Sequence, residues 1–188
     1  MIHRLYYSLG MAWQHRARLR VYRRQRALQC KTVLDLDLSA VKAQGIRALA
    51  LDFDGVLASY GEREISPTIG SWLNNSIEVF GQGKVFILTN KPTEARESYF
   101  SEHFKGVILV RAARKKPYPE GIFQILQRVK IEARELLVVD DRLLTGILAA
   151  IIAETTACYI TKPWINLRKR PVPELFFMSL RIIERLIV

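Results

Sequence analysis

The chain has 188 residues, enough for one compact domain with a single core. Apolar residues make up 49% and charged residues 25%, an ordinary globular balance, and the net charge is +11. Cys30 and Cys158 stand far apart in sequence without metal or redox spacing. They read as structural thiols of a reducing compartment, which excludes a disulfide framework. No apolar run approaches the roughly 20 residues that span a bilayer, and the N-terminus lacks the uninterrupted apolar stretch of a secretory signal.

The positive charge is concentrated at the start. Residues 1–34 hold seven arginines (Arg4, Arg16, Arg18, Arg20, Arg23, Arg24, Arg26) and Lys31 with no acid, so +8 of the +11 lies there. Leu5, Tyr6, Tyr7, Leu9, Met11 and Trp13 share the segment. Aromatics followed by arginines fit four readings. In order of preference these are a helix on an anionic membrane surface, a basic helix docked on the core, a mitochondrial transit peptide and a nucleic-acid-binding arm.

From residue 46 onward, strand and helix signals alternate. Strands are expected at 46–53, 84–90, 106–110, 135–141 and 157–161, and helices at 66–83, 91–104, 118–131 and 142–155. Ser66 and Pro67 mark a helix start, and Gly81 and Gly83 its end. Short apolar strands separated by helices of this length predict an α/β protein, a Rossmann-like parallel sheet flanked by helices. Three parts follow: a basic, aromatic arm at 1–32, the α/β domain at 33–164, and a basic and apolar C-terminal helix at 165–188.

Ligands of open parallel sheets bind beyond the carboxyl ends of the strands, and the polar residues collect there. The first strand ends in Asp52 and Asp54, followed by Gly55. The second ends in Thr89 and Asn90. Lys115 and Lys116 follow the third, and the fourth ends in Asp140 and Asp141. Several carboxylates in one place need a cation, and hard oxygen ligands without nearby His or Cys favour Mg²⁺. A lysine with hydroxyl and amide donors suits phosphate oxygens. An aspartate can attack phosphorus to give an aspartyl-phosphate, and a second carboxylate two residues on can serve as acid and then base. Gly55 leaves room for close backbone approach. Each group alone also has an ordinary role: a polar turn, a helix cap, a solvated lysine. Asp35 and Asp37, in "LDLD", are expected to be such a structural pair. His3, His15 and His103 show no ligand spacing, and Trp164 reads as a packing residue.

With these residues in view, the chain resembles the haloacid dehalogenase-like (HAD) phosphatases. "DFDGV" is similar to their first motif, "ILTN" to the second, "KKP" to the third and "VVDD" with "RLLTG" to the fourth, in order over residues 46–161. The lead "VLDLDLSAVKAQGIRALALDFDGVL", with "RKKPYPEGI" and "VVDDRLLTGILAA", resembles the IIIA-type group of YqeG-like proteins and mitochondrial phosphatidylglycerophosphate phosphatases. The resemblance implies Asp52 as nucleophile and Mg²⁺ ligand, and Asp54 as acid/base with its backbone carbonyl on the metal. It implies Thr89 and the Asn90 backbone as phosphoryl-binding groups, Lys116 (alternatively Lys115) as the neutralising cation, and Asp141 as a metal ligand. The chain departs from that pattern in the fourth motif. Gly146 stands where another acid is usual, and Asp140 where glycine is common, so Asp140 is an additional candidate ligand.

Only 34 residues separate Asp54 from Thr89 and 25 separate Asn90 from Lys116, too few for a large cap domain. An uncapped site admits large or membrane-borne phosphates. At the C-terminus, Arg168, Lys169 and Arg170 precede an apolar helix with Phe176, Phe177, Leu180, Ile183 and Ile187 at near-helical spacing. Docking of that apolar face on the core is favoured over an interfacial anchor. The leading expectation is a Mg²⁺-dependent phosphomonoesterase for phosphatidylglycerophosphate. Its partner would be anionic phospholipid at a membrane surface, with nucleic acid disfavoured. Its setting would be cytoplasmic and peripheral, or the mitochondrial matrix if the arm is a transit peptide. The alternatives are a phosphatase for soluble sugar or nucleotide phosphates, and a catalytically weak binding protein.

Overall fold

The structure is a computed structural model and describes residues 2–188. Six strands form one sheet in the order β1-β6-β5-β2-β3-β4, and every neighbouring pair is parallel. They are β1 (Gln29–Cys30), β2 (Ala48–Leu51), β3 (Val85–Ile87), β4 (Val107–Leu109), β5 (Leu136–Asp140) and β6 (Thr156–Ile160). The α/β class and the parallel sheet are as expected. β1 was not anticipated. At two residues it is too short to show a pattern, and it falls within the segment assigned to the N-terminal arm. It brings Cys30 to the strand next to that of Cys158, and both are free thiols.

Side chains alternate across the strands and feed two cores. Ala48, Ala50, Phe86 and Val138 face one side; Leu49, Leu51, Ile87 and Val139 face the other. On the second side lie α3 (Leu38–Ala43), α4 (Pro67–Phe80) and α5 (Glu94–His103), through Leu38, Leu73 and Phe100. Local signals set their starts. Asp37 accepts from Ala40 N at 2.9 Å to cap α3, and Ser66 caps α4 with Pro67 in its first turn. On the first side lie α6 (Glu120–Val129) and α7 (Leu148–Ile152), the latter entered through a π-type turn at Leu143–Ile147. The expected helix 142–155 is thus irregular over its first half.

The N-terminal arm forms α1 (Ile2–Gln14) and α2 (Arg16–Arg24), and both dock on this first core. Leu19 and Ala12 are buried, Ser8 donates to Leu144 O at 2.9 Å, and Tyr7 stacks on Tyr118 at 4.2 Å. Burying Leu19 contributes about 1.5–3 kcal/mol. Leu5, Tyr6 and Trp13 remain exposed on the outer side.

The last helix, α8 (Pro171–Ile187), departs in part from the expected docking: Phe177 and Leu180 are half-buried, but Phe176, Ile183 and Ile187 are exposed. Its inward positions are Glu174, Arg181 and Glu184, all buried, whereas Val172, Leu175, Phe176, Ile182, Ile183, Leu186 and Ile187 are exposed. Apolar periodicity marked the helix, but only part of its stripe turns inward. The inward charges have partners that only the tertiary structure supplies.

Candidate active site

The carboxyl ends of β2, β3 and β5, with the loop after β4, converge on one cavity of about 510 Å³ lined by Asp52, Asp54, Thr89, Lys115, Asp141 and Arg181, among others. Asp52 follows β2 directly, and its amide is fixed by Val139 O at 2.9 Å. The Lys116 ammonium lies 3.0 Å from Asp52 Oδ1 and 2.5 Å from Asp140 Oδ2, tying two strand ends together. Asp52, Asp140 and Asp141 each offer an oxygen within 4.8 Å of the others.

Burial dominates the electrostatics. It pushes Asp52 up to about 8; Lys116 opposes this, and Asp140, Asp141 and Asp54 reinforce it. Asp141 is raised to about 6, again by burial, with Arg181 opposing and Asp140 adding to the rise. Burial alone would lower Lys116, but Asp140 and Asp52 outweigh it and hold the ammonium above its ordinary range, fully charged. Lys116 and Arg181 face three crowded carboxylates, so the cluster has more acids than cations in direct contact with it. Asp141 Oδ1 is buried with no hydrogen-bond partner. Both features fit a divalent cation held by hard oxygen ligands.

The remaining sequence candidates fall into place differently. Gly55 has φ +95°, and a Cβ there would stand 2.6 Å from Asp141 Oδ2, so only glycine lets the β2 loop close against Asp141. Asn90 serves the scaffold with its side chain: Oδ1 accepts from Lys116 N at 2.7 Å, which positions the lysine. Thr89 is buried on the cavity wall, and its hydroxyl accepts from Lys91 N at 3.2 Å. Lys115 lines the cavity but is exposed, whereas Lys116 is the buried cation. Asp54 also lines the cavity, but its carboxylate lies outside the three-carboxylate cluster.

Sequence reasoning missed the partner of Asp54. Arg96, 2% exposed, donates to Asp54 Oδ2 at 3.0 Å and Oδ1 at 2.6 Å, and its guanidinium lies 3.9 Å over the Phe53 ring centroid. A lone arginine in a polar helix carries no signal of such a role. The fourth motif is also resolved in space. A Cβ at position 146 would fall 1.8 Å from Asp140 Oδ2, so the Asp140 carboxylate occupies the space that a side chain at Gly146 would need. Asp35 and Asp37 are structural: Asp35 accepts from Thr32 N at 2.7 Å, and Asp37 is the α3 cap.

The family model described as mitochondrial PGP phosphatase matches residues 23–164. A curated relative, phosphatidylglycerophosphate phosphatase 1, chloroplastic, of Chlamydomonas reinhardtii, is 29% identical over 126 residues, covering 64% of this chain and 46% of that one. The match thus spans less than half the length of that relative. Among solved structures, a predicted phosphoglycolate phosphatase from Haemophilus somnus 129PT is similar in fold, with a TM-score of 0.52, 14% identity, and coverage of 64% of this chain and 88% of that one. A HAD-superfamily hydrolase from Geobacter sulfurreducens PCA gives 0.47, 16%, 70% and 96%. With three quarters of its length inside the matched segment, the chain belongs to the mitochondrial PGP phosphatase family.

Proposed function

We propose that the protein is a Mg²⁺-dependent phosphomonoesterase acting through an aspartyl-phosphate on Asp52, with phosphatidylglycerophosphate at a membrane surface as substrate. The observation that carries the reading is the Lys116 ammonium shared by Asp52 and Asp140 beside Asp141, at the sheet edge where parallel α/β folds bind ligands. Asp52, Asp140 and Asp141, with the backbone carbonyl of Asp54, would hold Mg²⁺. When bound, the ion offsets the crowded negative charge and polarises the phosphoryl group.

The chain's own residues supply the remaining chemistry. An Asp52 oxygen attacks phosphorus as the bond to the leaving oxygen breaks, and Lys116 neutralises charge on the transferring group. Asp54 gives a proton to the leaving oxygen. It then takes one from water as that water attacks phosphorus, which releases phosphate and restores Asp52. Because both Asp54 oxygens pair with Arg96 in this structure, this role requires one contact to be exchanged for the substrate's oxygen.

Membrane attachment is supported by α8, whose exposed face is apolar, and by Leu5, Tyr6 and Trp13 on α1, next to a basic arm. Arg4 from α1 and Phe176 from α8 both line the cavity, so the two helices flank its mouth. No described helix is long and apolar enough to cross a membrane. The mitochondrial family name and the chloroplastic relative favour an organellar setting over a cytoplasmic one.

The test is phosphate release from phosphatidylglycerophosphate in mixed micelles, with Mg²⁺ or chelator, for the wild type and Asp52→Asn. Mg²⁺-dependent release that disappears in the variant supports the reading. Release from an aryl phosphate but not from the lipid retains the mechanism and rejects the substrate. Absence of both rejects the enzyme.

A further inference from the structure

We propose that Arg181 is a positioning residue for Asp141, which makes α8 a working part of the active site although it lies outside the segment shared with the family. The inference rests on the reading of Asp141 as a ligand of a divalent cation.

Arg181 Nε donates to Asp141 Oδ2 at 2.5 Å, and both side chains are buried. That bond consumes one carboxylate oxygen and leaves Oδ1 without a partner, in the group formed with Asp52 and Asp140. A carboxylate held at one oxygen and free at the other is oriented to coordinate a cation through the free one. Hydrogen bonds from outside a metal's ligand set commonly fix ligands in this way. Arginine suits the role because its guanidinium stays charged when buried, where a lysine would lose its proton more readily.

The helix is built to deliver this residue. Residues 174, 181 and 184 fall on one helical face. Glu174 Oε1 accepts from Tyr60 N at 3.1 Å and Asn166 N at 3.0 Å, and Arg142 Nε donates to Glu184 Oε1 at 2.7 Å. The Phe177 ring packs on Tyr60 at 4.1 Å, and Arg20 Nε donates to Val188 O at 2.9 Å. These contacts pin α8 on both sides of Arg181, to the Asp54–Tyr60 loop, the turn after Asp141, and α2.

The experiment measures Mn²⁺ binding to the full chain by electron paramagnetic resonance, for the wild type, Arg181→Gln, Arg181→Lys, Asp141→Asn and Asp141→Asn/Arg181→Gln. Circular dichroism and thermal melting check the folding of each variant. Positioning predicts Mn²⁺ affinity weaker by about 10–100-fold in Arg181→Gln, an intermediate loss in Arg181→Lys, and no further loss in the double variant relative to Asp141→Asn. Unchanged or tighter Mn²⁺ binding in folded Arg181 variants overturns the inference and leaves the phosphatase reading intact. If Arg181→Gln does not fold, Arg181→Lys decides on the same criterion. A wild type that binds no Mn²⁺ overturns the cation reading, and the inference with it.

Discussion

Two four-residue stretches of the chain are nearly the same. "LDLD" ends at Asp37 and "LDFD" ends at Asp54, each with a buried apolar residue between its aspartates, Leu36 and Phe53. In the first, both carboxylates are exposed and bond to backbone three residues away, Asp35 to Thr32 and Asp37 to Ala40. In the second, Asp52 reaches Lys116 and Asp54 reaches Arg96, 42 residues on, and Asp52 is almost out of contact with water. The pattern is shared; the distance over which it is satisfied is not. A carboxylate satisfied locally can stay in water and cap a helix. Asp52, which depends on a cation from another strand end, is desolvated, and its proton affinity rises with its burial.

The contrast is breakable by substitution. The largest effect is expected for Asp52→Asn, which removes the nucleophile and should lower phosphate release by on the order of 10³-fold or more. Asp35→Asn in the same assay should leave release unchanged. Comparable losses for the two would remove the distinction. Lys116→Met leaves Asp52 and Asp140 buried without their shared cation, and urea denaturation should report a destabilisation of about 3–5 kcal/mol. Release should vanish as well.

A titration sharpens the comparison. In the metal-free protein Asp52 titrates near 8, above its ordinary 3.8, so the folded state holds a proton that the unfolded chain has already lost. The stability linked to that proton is complete below about pH 4 and is lost as pH rises to about 8. Asp141, raised to about 6, acts in the same direction. Thermal melting in chelator should therefore show stability falling across this window, less steeply in Asp52→Asn, and divalent-ion affinity should rise with pH over the same range. A flat profile for the wild type would remove the claim that these carboxylates resist ionisation. The smallest effect is expected at the other pair: Asp37→Ala loses the α3 cap at about 1 kcal/mol by denaturation, with release unaltered.

Much of the fold was legible because it is local. Apolar runs marked the five strands expected from residue 46 onward, and the polar residues beyond them marked the site edge. What was missed is long-range or too short. β1 has two residues, and Arg96 and Arg181 resemble surface arginines until the sheet brings Asp54 and Asp141 to them. The Asn90 side chain has a further task that spacing did not show: it holds the Lys116 backbone, while the residue lines the cavity. The inward face of α8 could not be chosen from periodicity, because its stripe is equally apolar whichever way it turns. The π-type turn has a similar origin: it lies where Gly146 gives way to the Asp140 side chain.

That last feature bears on how such chains diverge. Positions 140 and 146 draw on one volume, so an acid can enter it from the strand or from the following turn, but not from both. A single exchange at either position leaves the volume doubly filled or without its carboxylate. A side chain introduced at position 146 would therefore have to displace the Asp140 carboxylate from Lys116, so the two positions are coupled through one shared volume.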